Sequence, residues 1–199
     1  MPNHLLTHNY YAFLKGIELS DLPKTFQDAV MVTRSMGVCF LWIDSLCIIQ
    51  DSAMDWVNES SKMRQVYKNS YLNIAAAASH DATGGLFYPR FPLSITSCFV
   101  QYGRGPDMKY AGSTYKAERT SGAELVLFTR GWAFQELLLA PRTLIFGKKE
   151  LHWKCYELEG SETYPEGPLD HEIENKNLPL LRKTWQDIHH KPASLCWKA

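Results

Sequence analysis

Two acidic residues, far apart in the chain, are the first candidates for chemistry. Asp44 ends an apolar and aromatic run at residues 38 to 43, and Glu136 lies in the segment TRGWAFQELLLAPR, residues 129 to 142. An ionised carboxylate stabilises positive charge that develops on a reacting carbon, and at the end of a buried strand it can also bind a ligand or a water molecule. We therefore take Glu136 as the candidate catalytic residue and Asp44 as a candidate binding residue.

A helix over residues 129 to 142 would surround Glu136 with side chains suited to binding. At 100° per residue, the face that carries the carboxylate consists of Trp132, Gln135, Glu136 and Leu139. The Trp132 indole can stack on a flat ring, and the Arg130 guanidinium can meet a phosphate. The alternative is structural: Glu136 pairs with Arg130 or Arg142, and the indole belongs to the core.

The acids around Asp44 also have structural interpretations. Asp44 can cap a turn by accepting the backbone N–H groups of Leu46 and Cys47. Asp51 can cap the helix that follows it, and Asp55 fits a charge at a helix start. These acids have neither the spacing of a calcium loop nor a histidine partner, so we expect no metal site. The apolar flanks of Cys47 predict a core thiol rather than a nucleophile.

The elements that must position these residues predict an α/β fold. Residues 23 to 36 and 53 to 69 have helical periodicity, and the run at 38 to 43 has the β-branched and aromatic content of a buried strand. Residues 71 to 78 predict a second strand. A strand between two helices predicts a mainly parallel sheet flanked by helices, with ligands at the carboxyl ends of its strands. The packed face of the first helix excludes Asp28 and consists of Phe26, Ala29, Val30 and Thr33.

The C-terminal part of the chain predicts a different organisation. Residues 143 to 146 and 150 to 155 predict a β-hairpin across a Gly-Lys-Lys turn. After Tyr156 the chain becomes acidic, then rich in proline. We therefore divide it into a domain at 1–156 and a weakly structured extension at 157–199.

Composition limits the classes of partner. Lys plus Arg and Asp plus Glu are 21 each, so the net charge is zero and no basic field favours nucleic acid. The five cysteines form no CxxC pair, which does not fit a disulfide framework. The sequence has no apolar run of membrane-spanning length and no signal-peptide pattern at its start. We expect a cytoplasmic protein.

Three stretches, at residues 22–51, 55–79 and 130–155, resemble the fungal heterokaryon-incompatibility domain, or HET domain. Its marks are the WIDSLCIIQD and RGWAFQELL blocks, in this order and at this spacing. The family normally begins with a strand of the form LSYxWG ahead of the LPKTF helix, and this chain has no such block. The resemblance anchors roughly residues 15 to 155 and implies a domain without its usual first strand.

The resemblance implies a role in non-self recognition and programmed cell death when unlike fungal cells fuse. HET domains have been proposed to be distant relatives of the TIR fold, which is flavodoxin-like, and several TIR domains cleave NAD with a glutamate. By this analogy the chain is an NAD⁺ nucleosidase that takes NAD as its substrate and needs no cofactor or metal. Glu136 is then the catalytic residue, and the substrate is bound by Asp44, Trp132, Arg130 and Gln135. The alternatives are a non-enzymatic module, acting by self-association or by docking to a receptor-type partner, and an inactive truncated relative.

Overall fold

A computed structural model of the chain describes residues 4–90, 98–102, 109–113 and 131–167. Its α-helices, in chain order, are α1 (Tyr10–Lys15), α2 (Lys24–Ser35), the single turn α3 (Asp44–Cys47), α4 (Ala53–Lys68) and α5 (Gly131–Leu139), and a short 3₁₀ helix spans Leu19–Asp21. Its strands are β1 (Asn73–Ala75), β2 (Cys98–Tyr102), β3 (Lys109–Ser113), β4 (Arg142–Phe146), β5 (Leu151–Cys155) and β6 (Glu159–Ser161).

Four of these strands form one mixed sheet in the order β1-β4-β5-β6, and β2 and β3 form a separate antiparallel pair. β1 runs parallel to β4, whereas β4, β5 and β6 pair antiparallel with one another. The expectation of a mainly parallel sheet is therefore wrong for the described strands. The reason is connectivity, because β4, β5 and β6 follow one another through short turns, and short turns join antiparallel neighbours.

Helices cover both faces of this sheet, so the described part of the chain is an α/β fold. Alternate residues of a strand point to opposite faces. On one face, Ile74 of β1 and Leu144 of β4 pack against a buried cluster formed by Ala29, Val32, Leu86 and Phe146, which brings α2 onto the sheet. On the other face, Ala75 and Ile145 pack with Ala77 and with Leu137 of α5.

The segment at residues 38 to 43 is not a strand, which corrects the prediction of a buried strand there. Phe40 has 90% of its surface exposed, while Leu41 packs on the buried cluster that contains Ala29 and Val32. The backbone at Ile43 is extended, with φ −130° and ψ 121°. An extended apolar run becomes a strand only when a neighbour takes up its backbone groups. In the described sheet, β1 pairs with β4 and does not pair with this segment.

The first turn of α2 is held by a loop more than fifty residues further along the chain. Asp28 is fully buried; its Oδ2 accepts the Leu86 N–H at 2.8 Å, and its Oδ1 accepts a hydrogen bond from the Lys24 ammonium. Thr25 Oγ1 accepts the Gly85 N–H at 3.0 Å, and the Thr25 N–H donates to the Ala82 carbonyl at 2.9 Å. These contacts tie α2 to the loop that follows β1.

The predicted boundary after Tyr156 stays a prediction. β6 lies beyond it and pairs with β5, so the sheet continues to Ser161. The Glu150 carboxylate, which is buried, accepts the Thr163 N–H at 3.1 Å and holds the chain after β6 against the start of β5. Most of the predicted extension, from residue 168 onward, lies outside the described residues.

Candidate functional site

Glu136 lies on the side of α5 that turns toward α4. Its neighbour Leu137 packs on the sheet. Adjacent side chains on a helix point about 100° apart, so Glu136 points away from the sheet surface that Leu137 covers. α4 and α5 pack against each other. Across this contact the half-buried Glu136 carboxylate lies near enough to the Tyr67 phenol, in the last turn of α4, for its charge to raise the pKa of that phenol.

Tyr67 is the residue at which the two predicted acids meet. Burial raises the pKa of the Tyr67 phenol far above its ordinary value, and the negative charges of Glu136 and Asp44 raise that pKa further. The phenol is therefore protonated at any physiological pH. The Trp42 ring stands edge-on to the Tyr67 ring, with centroids 5.8 Å apart and planes at 78°, and limits the positions the phenol can take.

Asp44 is the first residue of the single turn α3, and its side chain is exposed. The predicted cap onto Leu46 and Cys47 is wrong. Both of those N–H groups donate to the Ile43 carbonyl at 2.9 Å, and Asp44 Oδ1 instead accepts the N–H of Ser45 at 2.7 Å. Because the Asp44 charge acts on the Tyr67 phenol, Asp44 lies near the place where α4 packs against α5.

The turn α3 is held from outside by residues near the start of the chain. The Leu5 N–H donates to the Ser45 carbonyl at 2.7 Å, and the Gln50 N–H donates back to the Leu5 carbonyl at 2.9 Å. Thr7 donates both its N–H and its hydroxyl to Asp51 Oδ1, at 2.8 and 2.9 Å. We call residues 5 to 7 the N-terminal strap.

The neighbouring acids Asp51 and Asp55 have structural partners. The bond from the Thr7 N–H lowers the pKa of Asp51 below its ordinary value, so Asp51 anchors the strap rather than capping α4. The cap is Ser52, whose Oγ accepts the Asp55 N–H at 3.3 Å. Asp55 Oδ2 accepts the N–H of Ile49 at 2.8 Å. Among the described residues, no group of three or more His, Cys, Asp or Glu side chains is placed to hold a metal ion.

The remaining predicted binding residues are described less fully. Gln135 is exposed on α5, next to Glu136. Trp132 has its place in the first turn of α5, and its side chain is not described. Arg130 lies outside the described residues. The roles given to Glu136, Asp44, Trp132, Arg130 and Gln135 therefore remain predictions.

Cys47 is exposed, which corrects the expectation of a core thiol. The protein around its sulfur raises the pKa of the thiol, and the charges of Asp44 and Glu59 raise it further against the lowering effect of the bond to Ile43. A thiol with a raised pKa is mostly protonated near neutral pH and is a poor nucleophile. The described geometry therefore does not favour cysteine chemistry at this site.

Tyr67 is the site residue that the sequence analysis missed. Its position in α4 predicts a packed aromatic side chain, and the ring does contact Trp42. The available signal was its hydroxyl, because a buried tyrosine requires a hydrogen-bond partner.

A comparison with known protein families gives a match. The family model described as "Heterokaryon incompatibility protein (HET)" matches residues 5–136, which begin at the N-terminal strap and end at Glu136. No curated protein and no solved structure matches the chain. Within the part of the chain that the structure describes, no helix is both long enough and apolar enough to span a membrane.

Proposed function

Since the chain belongs to the heterokaryon incompatibility family, whose model covers more than half of its residues, we propose that it acts in non-self recognition between fusing fungal cells by hydrolysing cytoplasmic NAD. Family membership itself indicates a role in heterokaryon incompatibility. Loss of NAD would lead to programmed death of the fused cell, and this step is part of the proposal.

The proposed reaction breaks the bond between the nicotinamide nitrogen and the ribose anomeric carbon. The electron pair leaves with nicotinamide, water adds to the anomeric carbon, and a proton is released, which yields ADP-ribose. Positive charge grows on the sugar before water adds. Glu136 stabilises that charge, Asp44 binds the ribose hydroxyls, Trp132 and Gln135 contact the nicotinamide side, and Arg130 meets the pyrophosphate.

The observation that supports this proposal is that Glu136 and Asp44 both lie near the Tyr67 phenol, where each charge raises its pKa. The two residues are 92 positions apart in sequence, on α5 and α3, and both charges act on Tyr67. Glu136 is also half-buried, so water screens its charge less than at an open surface.

The test is nicotinamide release from NAD by the purified chain. Glu136→Gln keeps the size of the side chain and removes its charge, and we expect it to lower the rate by about a hundredfold or more. Glu18→Gln, the same substitution at an exposed glutamate ahead of α2, is the matched control and should leave the rate unchanged. Equal rates in the parent and Glu136→Gln would remove Glu136 from the mechanism.

The second candidate function is a non-enzymatic module that acts by self-association. It is favoured by apolar side chains on the first turns of α4, where Met54 and Val57 are 85% and 63% exposed. Large exposed apolar patches mark interaction surfaces. Light scattering after size exclusion should then show concentration-dependent dimers that Met54→Lys with Val57→Lys abolishes. A folded sample that neither associates nor releases nicotinamide would match an inactive relative.

A further inference from the structure

The segment at residues 38 to 43 has an extended backbone without a pairing strand. Its last residue, Ile43, has the φ and ψ of a β-strand, −130° and 121°. The Val38 N–H donates to the Thr33 carbonyl at 3.1 Å. Within the part of the chain that the structure describes, the backbone groups of residues 39 to 42 make no hydrogen bond with another backbone group. Four consecutive residues therefore present the N–H and C=O groups with which a strand edge binds another strand.

Side chains hold this segment in place from both sides. Leu41 packs on the cluster that contains Ala29 and Val32 of α2, and the Trp42 ring lies edge-on to Tyr67 of α4 at 5.8 Å. Neighbouring side chains of an extended backbone point to opposite sides. The backbone between Leu41 and Trp42 therefore lies between α2 and α4. A strand edge that is already held in position loses little conformational freedom when it pairs.

The segment is also exposed and apolar. None of residues 38 to 43 is buried, Phe40 is 90% exposed, and Cys39 is exposed as well. From residue 35 to residue 43 the sequence contains no charged side chain. Proteins usually cover a strand edge of this kind or place charges on it, because an uncharged apolar edge pairs with other chains. These features identify the segment as an interface.

The charges at the two ends of the segment indicate which partner it binds. Arg34 lies just before it and Asp44 just after it, and both are exposed. If two copies of the segment align antiparallel, Arg34 of each copy comes near Asp44 of the other. A parallel alignment would instead bring like charges together. The net charge of the chain is zero, so no long-range repulsion separates two copies.

We propose that residues 38 to 43 pair antiparallel with the same residues of a second copy and so form a homodimer. The inference goes beyond the proposed function, since it requires neither NAD nor Glu136, and its surface is not the one formed by Met54 and Val57. A pair of six-residue strands buries less than the about 1,200 Å² of a typical stable interface. We therefore expect a weak dimer, with a dissociation constant of tens of micromolar.

The first arm of the test measures association. Sedimentation equilibrium from about 5 to 500 μM covers the expected dissociation constant. Phe40→Lys places a positive charge in both strands of the pair and should weaken the dimer about tenfold or more. Leu14→Lys, at a leucine of α1 that is 67% exposed, is the matched control and should leave the constant unchanged. A folded Phe40→Lys variant that associates as strongly as the parent overturns the proposal, and so does a parent that stays monomeric throughout.

The second arm tests the antiparallel order. Arg34→Asp brings two acids together at each end of the pair, and we expect it to weaken the dimer about three- to tenfold at low salt. Adding Asp44→Arg to the same chain restores opposite charges and should recover most of the loss. Both effects should shrink at about 0.5 M salt. A charge-swapped double variant that associates more weakly than Arg34→Asp alone contradicts the antiparallel order.

The third arm observes the backbone directly. Successive residues of a strand point their amides to opposite edges, so pairing along one edge protects about half of the amides of residues 39 to 42 from hydrogen exchange. Exchange in peptides that cover residues 38 to 43 should be slower above the dissociation constant than below it, in the parent and not in Phe40→Lys. Dimers whose exchange in this segment does not depend on concentration would be joined at another surface, which overturns the proposal. None of the three arms measures NAD, so failure here leaves the proposed function standing.

Discussion

The buried carboxylate of Asp28 and the backbone N–H of Leu86 are joined by a 2.8 Å hydrogen bond across 58 residues of chain. The same carboxylate also binds the Lys24 ammonium. A fully buried carboxylate is stable only when its oxygens are paired. This contact therefore fixes how α2 sits against the loop after β1, and it gives the first prediction.

We expect Asp28→Ala to lower the free energy of unfolding by about 3 kcal/mol, because it leaves the Leu86 N–H buried without an acceptor and Lys24 without its partner. Urea denaturation monitored by circular dichroism measures the change. Asp21→Ala, at an exposed aspartate just ahead of α2, should change it by less than about 0.5 kcal/mol. If Asp28→Ala lowers the free energy of unfolding no more than Asp21→Ala does, the contact contributes little to stability.

Gly85 stands beside the same carboxylate and gives the second prediction. Its φ is +78°, and a Cβ there would approach Asp28 Oδ2 to 2.8 Å. Gly85→Ala should therefore destabilise the protein by about 2 to 4 kcal/mol, through backbone strain and through the displaced carboxylate. Gly37→Ala is the matched control, since its φ is +68° and its Cβ would meet nothing within 4 Å; it should cost about 1 kcal/mol. Equal losses of stability in the two variants would mean that the Asp28 side chain moves aside without an energetic cost.

The third prediction uses Cys47 as a probe of Asp44. The Asp44 charge contributes to the raised pKa of the Cys47 thiol. Asp44→Asn should lower that pKa, raise the thiolate fraction near pH 8 and speed alkylation by iodoacetamide about two- to fivefold. Peptide mass spectrometry follows Cys47 separately from the exposed Cys39, whose rate serves as the internal reference. An unchanged ratio of the two rates would show that Asp44 is too far from the Cys47 sulfur to influence its pKa.

The fourth prediction concerns the pH dependence of the N-terminal strap. The folded pKa of Asp51 lies below its ordinary value of 3.8, so the Thr7 bond stabilises the fold above that pH and is lost as pH falls through the folded pKa. The amide shift of Thr7, followed by NMR, should titrate with a midpoint below 3.8. In Thr7→Ala, which keeps the N–H and loses the hydroxyl, the midpoint should rise. A midpoint at or above 3.8 in the parent protein would contradict the hydrogen bonds between Thr7 and Asp51.

The helices could be predicted from sequence because their signals are local. α2 and α4 lie within the predicted ranges 23 to 36 and 53 to 69, where capping residues and apolar spacing occur within a few positions of one another. Residues 38 to 43 show the opposite case. Their composition is that of a strand, but a strand needs a pairing partner, which can lie anywhere in the chain. In the described sheet β1 pairs with β4 instead.

The candidate site was predictable only in part, for the same reason. Asp44 and Glu136 stood out as acids next to apolar segments, and the structure sets both near Tyr67. The phenol itself looked like core, since nothing within α4 shows that a carboxylate faces it. Asp28 was misplaced in a similar way: its periodicity puts it off the packed face, yet the loop at Gly85 and Leu86 covers it completely.

The N-terminal strap has a practical consequence for producing and labelling the protein. Leu5 and Thr7 together make four hydrogen bonds to the turn and loop that carry Asp44 and Asp51, and Leu5 is buried. An affinity tag, a fluorophore or a protease cut placed at these residues would remove hydrogen bonds that hold the turn carrying Asp44, although it changes none of the acids. Samples prepared with different leader peptides would then differ in how firmly the turn carrying Asp44 is held, and the difference would originate at Leu5.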